Sequence, residues 1–318
     1  MYIERNKSNL LRAIAIIMVL IGHGFSWLLE GDFYIFEWAG GLGVAIFLII
    51  SGYGLTESYK AIGLRGFWKK RIISVMVPYW CVMLGQSFFD FIFFNRKMSV
   101  VEWTISFIGY NDYKHLNGID STMWYITYIM ICYVIFFLIF SIPTNDIIKG
   151  ALLFAIFVIG FKQKLYLTDD WYFNYFSFPL GCFISIYKGK INEKIKNTII
   201  ALSLLIFLVF SSGIYIGRIP TPTIILVYCI SGGVFFVGLE YSKVILESKL
   251  FRKIGDCSYF IYLLEGYIIN KFPLIEGMSG NYLEIILFWI ITIELSLFCK
   301  CIYLSGINKI KDKIGKMH

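Results

Sequence analysis

Arg12 and His23 stand eleven residues apart in the first apolar stretch of the chain. At 100° per residue that interval is about 1,100°, within about 20° of the same helix face, with an axial separation of about 16 Å. One face thus presents a cation near the cytoplasm and an imidazole deep in the bilayer. Ionisable side chains at that depth are costly and by default mark function, and histidine is the side chain best suited to accept a proton near neutral pH. The structural alternative is that Arg12 snorkels to the inner headgroups and His23 hydrogen-bonds a neighbouring helix. Spacing alone leaves both readings open.

Other polar residues interrupt later apolar runs. In GGLGVAIFLIISGYGLTESY, Ser51 and Tyr53 lie among Gly40, Gly41, Gly43, Gly52 and Gly54, small residues that let helix backbones approach closely. In FWKKRIISVMVPYW, Lys69, Lys70 and Arg71 precede a run that Pro78 can kink. That basic rim either holds phosphates or satisfies topology. Trp124 and Tyr125 fit an aromatic belt. Glu265, in GDCSYFIYLLEGY, is expected to be neutral by desolvation or paired with a cation. Asp90, Glu284 and Glu294 read as structural residues near helix ends.

The elements that must position these groups follow from composition. The 318 residues are 58% hydrophobic and only 16% charged, whereas soluble domains carry about 25% charge. That excludes an ordinary cytosolic enzyme. Runs near 10–29, 38–59, 72–94, 123–142, 147–161, 171–187, 197–217, 223–240, 258–275 and 283–304 approach the length needed to cross about 30 Å of hydrocarbon as helix. The expectation is an all-α polytopic transmembrane bundle of about ten helices. It forms one domain over 1–318 with no separate soluble domain. The first run is too long for a signal-peptide core.

With both termini cytoplasmic, 22 of the 29 lysines and arginines fall on cytoplasmic segments. The net charge of +8 then reads as orientation in a membrane and calls for no nucleic acid. The seven cysteines lie mostly inside apolar runs without metal-type pairing, so no metal is expected. The longest outside connection, about 95 to 122, is expected to hold a short interfacial helix around Val101 to Ile108.

Together these segments resemble the acyltransferase 3 family of bacterial integral-membrane acyltransferases. The carriers are LLRAIAIIMVLIGH with its Arg-x10-His spacing, GVAIFLIISGYGL, FWKKRIISVMVPYW, MWYITYIMICY, FPLGCFIS and GDCSYFIYLLEG. Three positions depart from the family pattern. An acid three residues before the arginine is Asn9, a second basic residue after Arg71 is Ser74, and a histidine ending the SY-x-IYL segment is Glu265.

The resemblance implies a multi-pass protein of the cytoplasmic membrane that transfers an acyl group, usually acetyl from acetyl-CoA, to a hydroxyl of an envelope polysaccharide or lipid-linked sugar. His23 and Glu265 are then the catalytic candidates, and Arg12, Lys70 and Arg71 bind the donor phosphates. Ser51, Tyr53, Trp124 and Tyr125 are candidates for substrate contact. A transporter or flippase for a lipid-linked sugar, and a non-catalytic assembly subunit, are the competing readings.

Overall fold

The computed structural model describes residues 5–28, 34–111, 120–165, 169–188, 249–271 and 282–315, with short pieces at 192, 197–198, 201–202, 205, 230–235, 237–238 and 248. Among these residues the chain is helical, with no strand. The helices are α1 (Arg5–Leu28), α2 (Tyr34–Ile62), α3 (Phe67–Arg71), α4 (Val77–Phe94), α5 (Val100–Phe107) and α6 (Trp124–Phe140). They continue with α7 (Asp146–Lys162), α8 (Asp169–Asn174), α9 (Ser177–Tyr187), α10 (Lys249–Lys271) and α11 (Tyr282–Gly315). Among the described residues four segments, Asn6–Ser26, Ala39–Ile62, Phe67–Phe94 and Tyr282–Lys309, are long and apolar enough to cross a membrane. The expected runs over 197–217 and 223–240 lie mostly outside the described residues.

Contacts divide the chain into two compact units, Met1–Arg65 with Tyr128–Asp256, and Gly66–Thr127 with Cys257–His318. In the first unit α2 is the central helix, and its glycines explain why. A side chain at Gly43 would overlap the Ala15 carbonyl of α1. One at Gly52 would overlap the Phe178 carbonyl of α9, and one at Gly181 of α9 would meet the backbone of Ile49. Backbones pack this closely because dispersion, not water expulsion, holds helices together in lipid. Gly41 and Gly54, by contrast, face open space. Leu11, Ala15, Ile46, Ile49, Tyr53, Ile230 and Phe235 form the buried core around these crossings.

The sixth apolar run is two helices. It breaks between α8 and α9, where the Tyr128 hydroxyl donates to the Tyr175 carbonyl at 2.7 Å.

In the second unit, α3 and α4 are joined by a π-helical turn, Ile72–Met76, immediately before Pro78. Proline has no N–H to donate and its ring crowds the preceding turn, and the wider π turn accommodates both. The carbonyl of Ile73, five residues before Pro78, instead accepts from the Tyr303 hydroxyl at 3.1 Å. That of Val75 accepts from Tyr259 at 2.8 Å.

The interfacial helix expected in the 95–122 segment is α5. Its capping box is complete: the Ser99 hydroxyl accepts from the Glu102 N–H, and the Glu102 carboxylate accepts from the Ser99 N–H at 2.7 Å. The Ser99 N–H, followed by the Ser99 hydroxyl and the Arg96 guanidinium, holds the Glu102 carboxyl below the usual carboxylate range. A folded value below the unfolded one, about 4.3, stabilises α5 fully above that pH and ceases to do so as pH falls through the folded value. The protection of α5 amides, taken relative to the intrinsic exchange rate at each pH, should therefore fall on acidification, and Glu102→Gln should flatten that dependence. An acid-insensitive wild type would show that the cap does not hold α5.

Candidate active site

In the first unit, Arg12 and His23 lie on one unbroken helix, as their spacing requires, with Arg12 exposed and His23 partly exposed. His23 is three residues from the end of the candidate span Asn6–Ser26. The α1 and α2 helices run antiparallel: a Cβ at Gly40 would lie 3.6 Å from Gly22 Cα. Ser51 is eleven residues beyond Gly40, and Arg12 ten before Gly22. Ser51 and Tyr53 therefore share the depth of Arg12 and lie about 16 Å along the axis from His23. Tyr53 is buried, with Phe235 at 5.7 Å and the Lys188 Nζ 5.0 Å from its ring.

Beside Tyr53 the fold assembles polar groups that sequence reading had not joined. The Glu57 carboxylate accepts from Ser185 Oγ at 2.7 Å, from Lys188 at 3.2 Å and from Lys60 at 3.3 Å. Lys60 also donates to the Ser185 carbonyl at 2.6 Å. Lys149 is buried against aromatic rings, donating to the Tyr59 hydroxyl with its Nζ 4.6 Å from the Tyr59 centroid. In the sequence these lysines read only as orientation charges. The available signal was Glu57, an acid inside the apolar second run.

The Asn9 departure is also given a context. Its side-chain amide donates to Asp256 Oδ1 at 2.7 Å, and Gly255 lies so close that a side chain there would overlap the Asn9 carbonyl. An acid thus stands next to position 9, supplied by α10 and not by α1. Asn9→Asp places two carboxylates in hydrogen-bonding contact and should lower the thermal midpoint. Adding Asp256→Asn restores a donor–acceptor pair and should recover it. Equal midpoints for the single and double variants would mean the pair is not coupled.

In the second unit, Lys70 is exposed and Arg71 partly exposed, both in the last turn of α3. Ser74 Oγ donates to the Arg71 carbonyl at 3.4 Å, so this residue caps backbone where a second cation was expected. Trp124 and Tyr125 lie against α10, the helix that carries Glu265. Tyr125 lies 5.4 Å from the Tyr262 ring and 6.2 Å from Trp124. The Tyr262 hydroxyl donates to the Thr122 carbonyl at 3.0 Å, and Gly266 leaves no room for a side chain against Thr122. Glu265, between these contacts on α10, is fully buried. Asp120 Oδ1 accepts from both the N–H and the hydroxyl of Thr122, fixing the turn that leads into Trp124.

Asp90, near the end of α4, is engaged from three sides. It accepts from Tyr267 at 2.6 Å and pairs with Lys271 at 3.1 Å and Arg96 at 3.6 Å.

A family model described as an acyltransferase domain, Acyl_transf_3, matches residues 5–304, nearly the whole chain. The chain belongs to the acyltransferase 3 family. It is accordingly a multi-pass membrane acyltransferase, and α1 to α11 all fall wholly or largely within the matched region. No curated protein and no solved structure matches the chain. The matched region includes Arg12 and His23 on α1 and Glu265 on α10.

Proposed function

We propose that this acyltransferase takes an acyl group, usually acetyl, from acyl-CoA at the cytoplasmic face and transfers it to a hydroxyl of an envelope polysaccharide or lipid-linked sugar. The observation that carries the reading is the placement of Arg12 and His23 on one face of one uninterrupted helix in a chain of this family. Arg12, Lys70 and Arg71 hold the donor phosphates. Ser51 and Tyr53, at the depth of Arg12, contact the donor, while Trp124 and Tyr125 contact the acceptor.

His23 takes the proton of the acceptor hydroxyl as the oxygen attacks the thioester carbonyl. The C–S bond breaks, and the proton passes from the imidazolium to the departing thiolate. An acyl-histidine relay uses the same groups in two steps. Glu265 is the carboxyl available to orient or discharge the base.

The test supplies purified protein with labelled acetyl-CoA and candidate glycans. Transfer of label supports the reading. Failure to bind acyl-CoA, together with movement of glycan across vesicles, would favour transport. Arg12→Ala should raise the apparent KM for the donor about tenfold, the effect of removing one charge-assisted contact. An unchanged KM would remove Arg12 from donor binding.

A further inference from the structure

The two sides of α11 differ in character. Ile285, Phe288, Thr292 and Ser296 are buried on one side, where Tyr303 is anchored by its ring, 5.5 Å from Phe260, and by its hydroxyl on the Ile73 carbonyl. A flank formed by Leu295, Cys299 and Ile302 lines an apolar cavity that α11 shares with α4 and α10 beside Gln86. The side opposite Thr292 and Ser296, about 200° around the helix, carries Glu294. This acid stands not near a helix end, as its sequence context suggests, but twelve residues into α11, close to the middle of the span Tyr282–Lys309. It is exposed there and makes no hydrogen bond or ion pair with any described residue.

A carboxyl at mid-depth on a lipid-facing surface is costly, and such groups are normally covered by protein or paired. The neighbours of Glu294 show what covers it. Leu283, Leu287, Ile290, Glu294, Leu297 and Cys301 follow one another at intervals of 4, 3, 4, 3 and 4 residues, the spacing of a coiled-coil seam. All six are exposed or partly exposed, and together they run about 27 Å, most of the hydrocarbon thickness. Apolar side chains alone do not draw helices together in lipid, whose tails are as apolar as leucine, but an interhelical hydrogen bond does. One polar residue in such a seam also fixes its register and the number of helices that meet. The apolar runs 197–217 and 223–240 hold no lysine, arginine or histidine, so neither supplies a cation to Glu294.

We propose that this side of α11 is the interface of a parallel homodimer, in which Glu294 hydrogen-bonds to Glu294 of a second copy of the chain. Two copies inserted the same way round are related by a two-fold axis along the membrane normal, which sets each seam residue opposite its own counterpart at the same depth. A carboxyl in its acid form carries one O–H donor and acceptor oxygens besides, so two of them satisfy each other. The seam is thus self-complementary in both spacing and polarity, and a second copy brings everything that Glu294 lacks. The dimer does not depend on the acyl-transfer reading, and it is measured without turnover.

The full-length protein is reconstituted in liposomes over a series of protein-to-lipid ratios and oxidised with copper phenanthroline. Cys301 is exposed and lies one heptad from Glu294 on the same seam. It should give a disulfide-linked dimer that persists as lipid is added and is absent from Cys301→Ser. Moving the thiol about 100° around the helix, by Cys301→Ser with Ile302→Cys, should reduce the product to the level of random collision. Glu294→Leu should lower the Cys301 yield about fivefold, the effect of losing one interhelical hydrogen bond. Glu294→Gln, again both donor and acceptor, should retain it. Glu294 takes no part in packing within the described chain, so both variants should keep the fold. A wild-type protein that forms no Cys301 dimer, an equal yield from position 302, or an unchanged yield in Glu294→Leu would overturn the proposal. Loss of the dimer in Glu294→Gln would also overturn it, in favour of a partner that supplies a cation.

Discussion

His23→Ala is expected to lower the rate of acyl transfer by 10²- to 10⁴-fold, the usual contribution of a positioned general base, while leaving the thermal midpoint and the donor KM close to those of the wild type. The separation of the two effects follows from geometry. His23 stands near one end of the α1 span, about 16 Å along the axis from Arg12, Ser51 and Tyr53. Loss of the imidazole therefore leaves the proposed donor-binding end intact. Partial exposure of His23 means that its truncation creates no sealed cavity in the core of the first unit. His23→Gln, which keeps hydrogen bonding but cannot take a full proton, should be nearly as inactive. Label transfer within twofold of wild type in either variant would remove His23 from the reaction. A fall in stability matching the fall in rate would assign it to helix packing.

The second large effect is structural. Gly181→Ala is expected to destabilise the protein by about 1–3 kcal/mol or more, the range for overpacking, because the added methyl meets the Ile49 backbone and not a side chain that could rotate away. The reciprocal contact is Gly52, whose added methyl would overlap the Phe178 carbonyl. The two glycines guard the same α2–α9 crossing from opposite sides. Gly52→Ala should thus cost a similar amount, and the double variant less than the sum, since separating the helices once relieves both overlaps. Gly54→Ala is the internal control: it lies two residues from Gly52 on the same helix but faces open space. It should be neutral or slightly stabilising, as alanine is the better helix former. Thermal melting in a single detergent compares all four. Equal midpoints for the Gly54 and Gly181 variants would mean that the crossing tolerates a methyl.

These two predictions differ in where their grounds were visible. The alignment of Arg12 with His23 was legible in the sequence because a helix is periodic, and eleven residues return to the same face without help from the rest of the fold. The α5 helix was legible for the same reason, since its cap is built from neighbours, Ser99 and Glu102. The glycines of α2 were recognisable as small, but sequence could not separate Gly52, which touches α9, from Gly54, which touches nothing. That distinction depends on which face of α2 another helix meets.

The site shows the same division. Asn9 reads in the sequence as a missing acid, and its partner Asp256 lies 247 residues away. Lys60, Lys149 and Lys188 read as orientation charges, and only the packing of α2, α7 and α9 joins Lys60 and Lys188 to Glu57 and seats Lys149 on Tyr59. Pro78 announced an irregular helix, yet its consequence, a π turn with carbonyls served by Tyr259 and Tyr303, needed distant hydroxyls.

From the sequence alone came the membrane-spanning helical class, the family resemblance and the shared face of Arg12 and His23, because hydropathy and helical period are local properties of the chain. The tertiary structure decided which glycines are crossings, which acid stands beside Asn9, how Tyr125 comes to pack on Tyr262 of the helix that carries Glu265, and that a cavity lies beside Gln86. Each of these is a contact between residues far apart in sequence. In a bilayer, where apolar helices gain nothing by hiding from their solvent, such contacts are selected by close steric fit and paired polar groups, which no local pattern encodes.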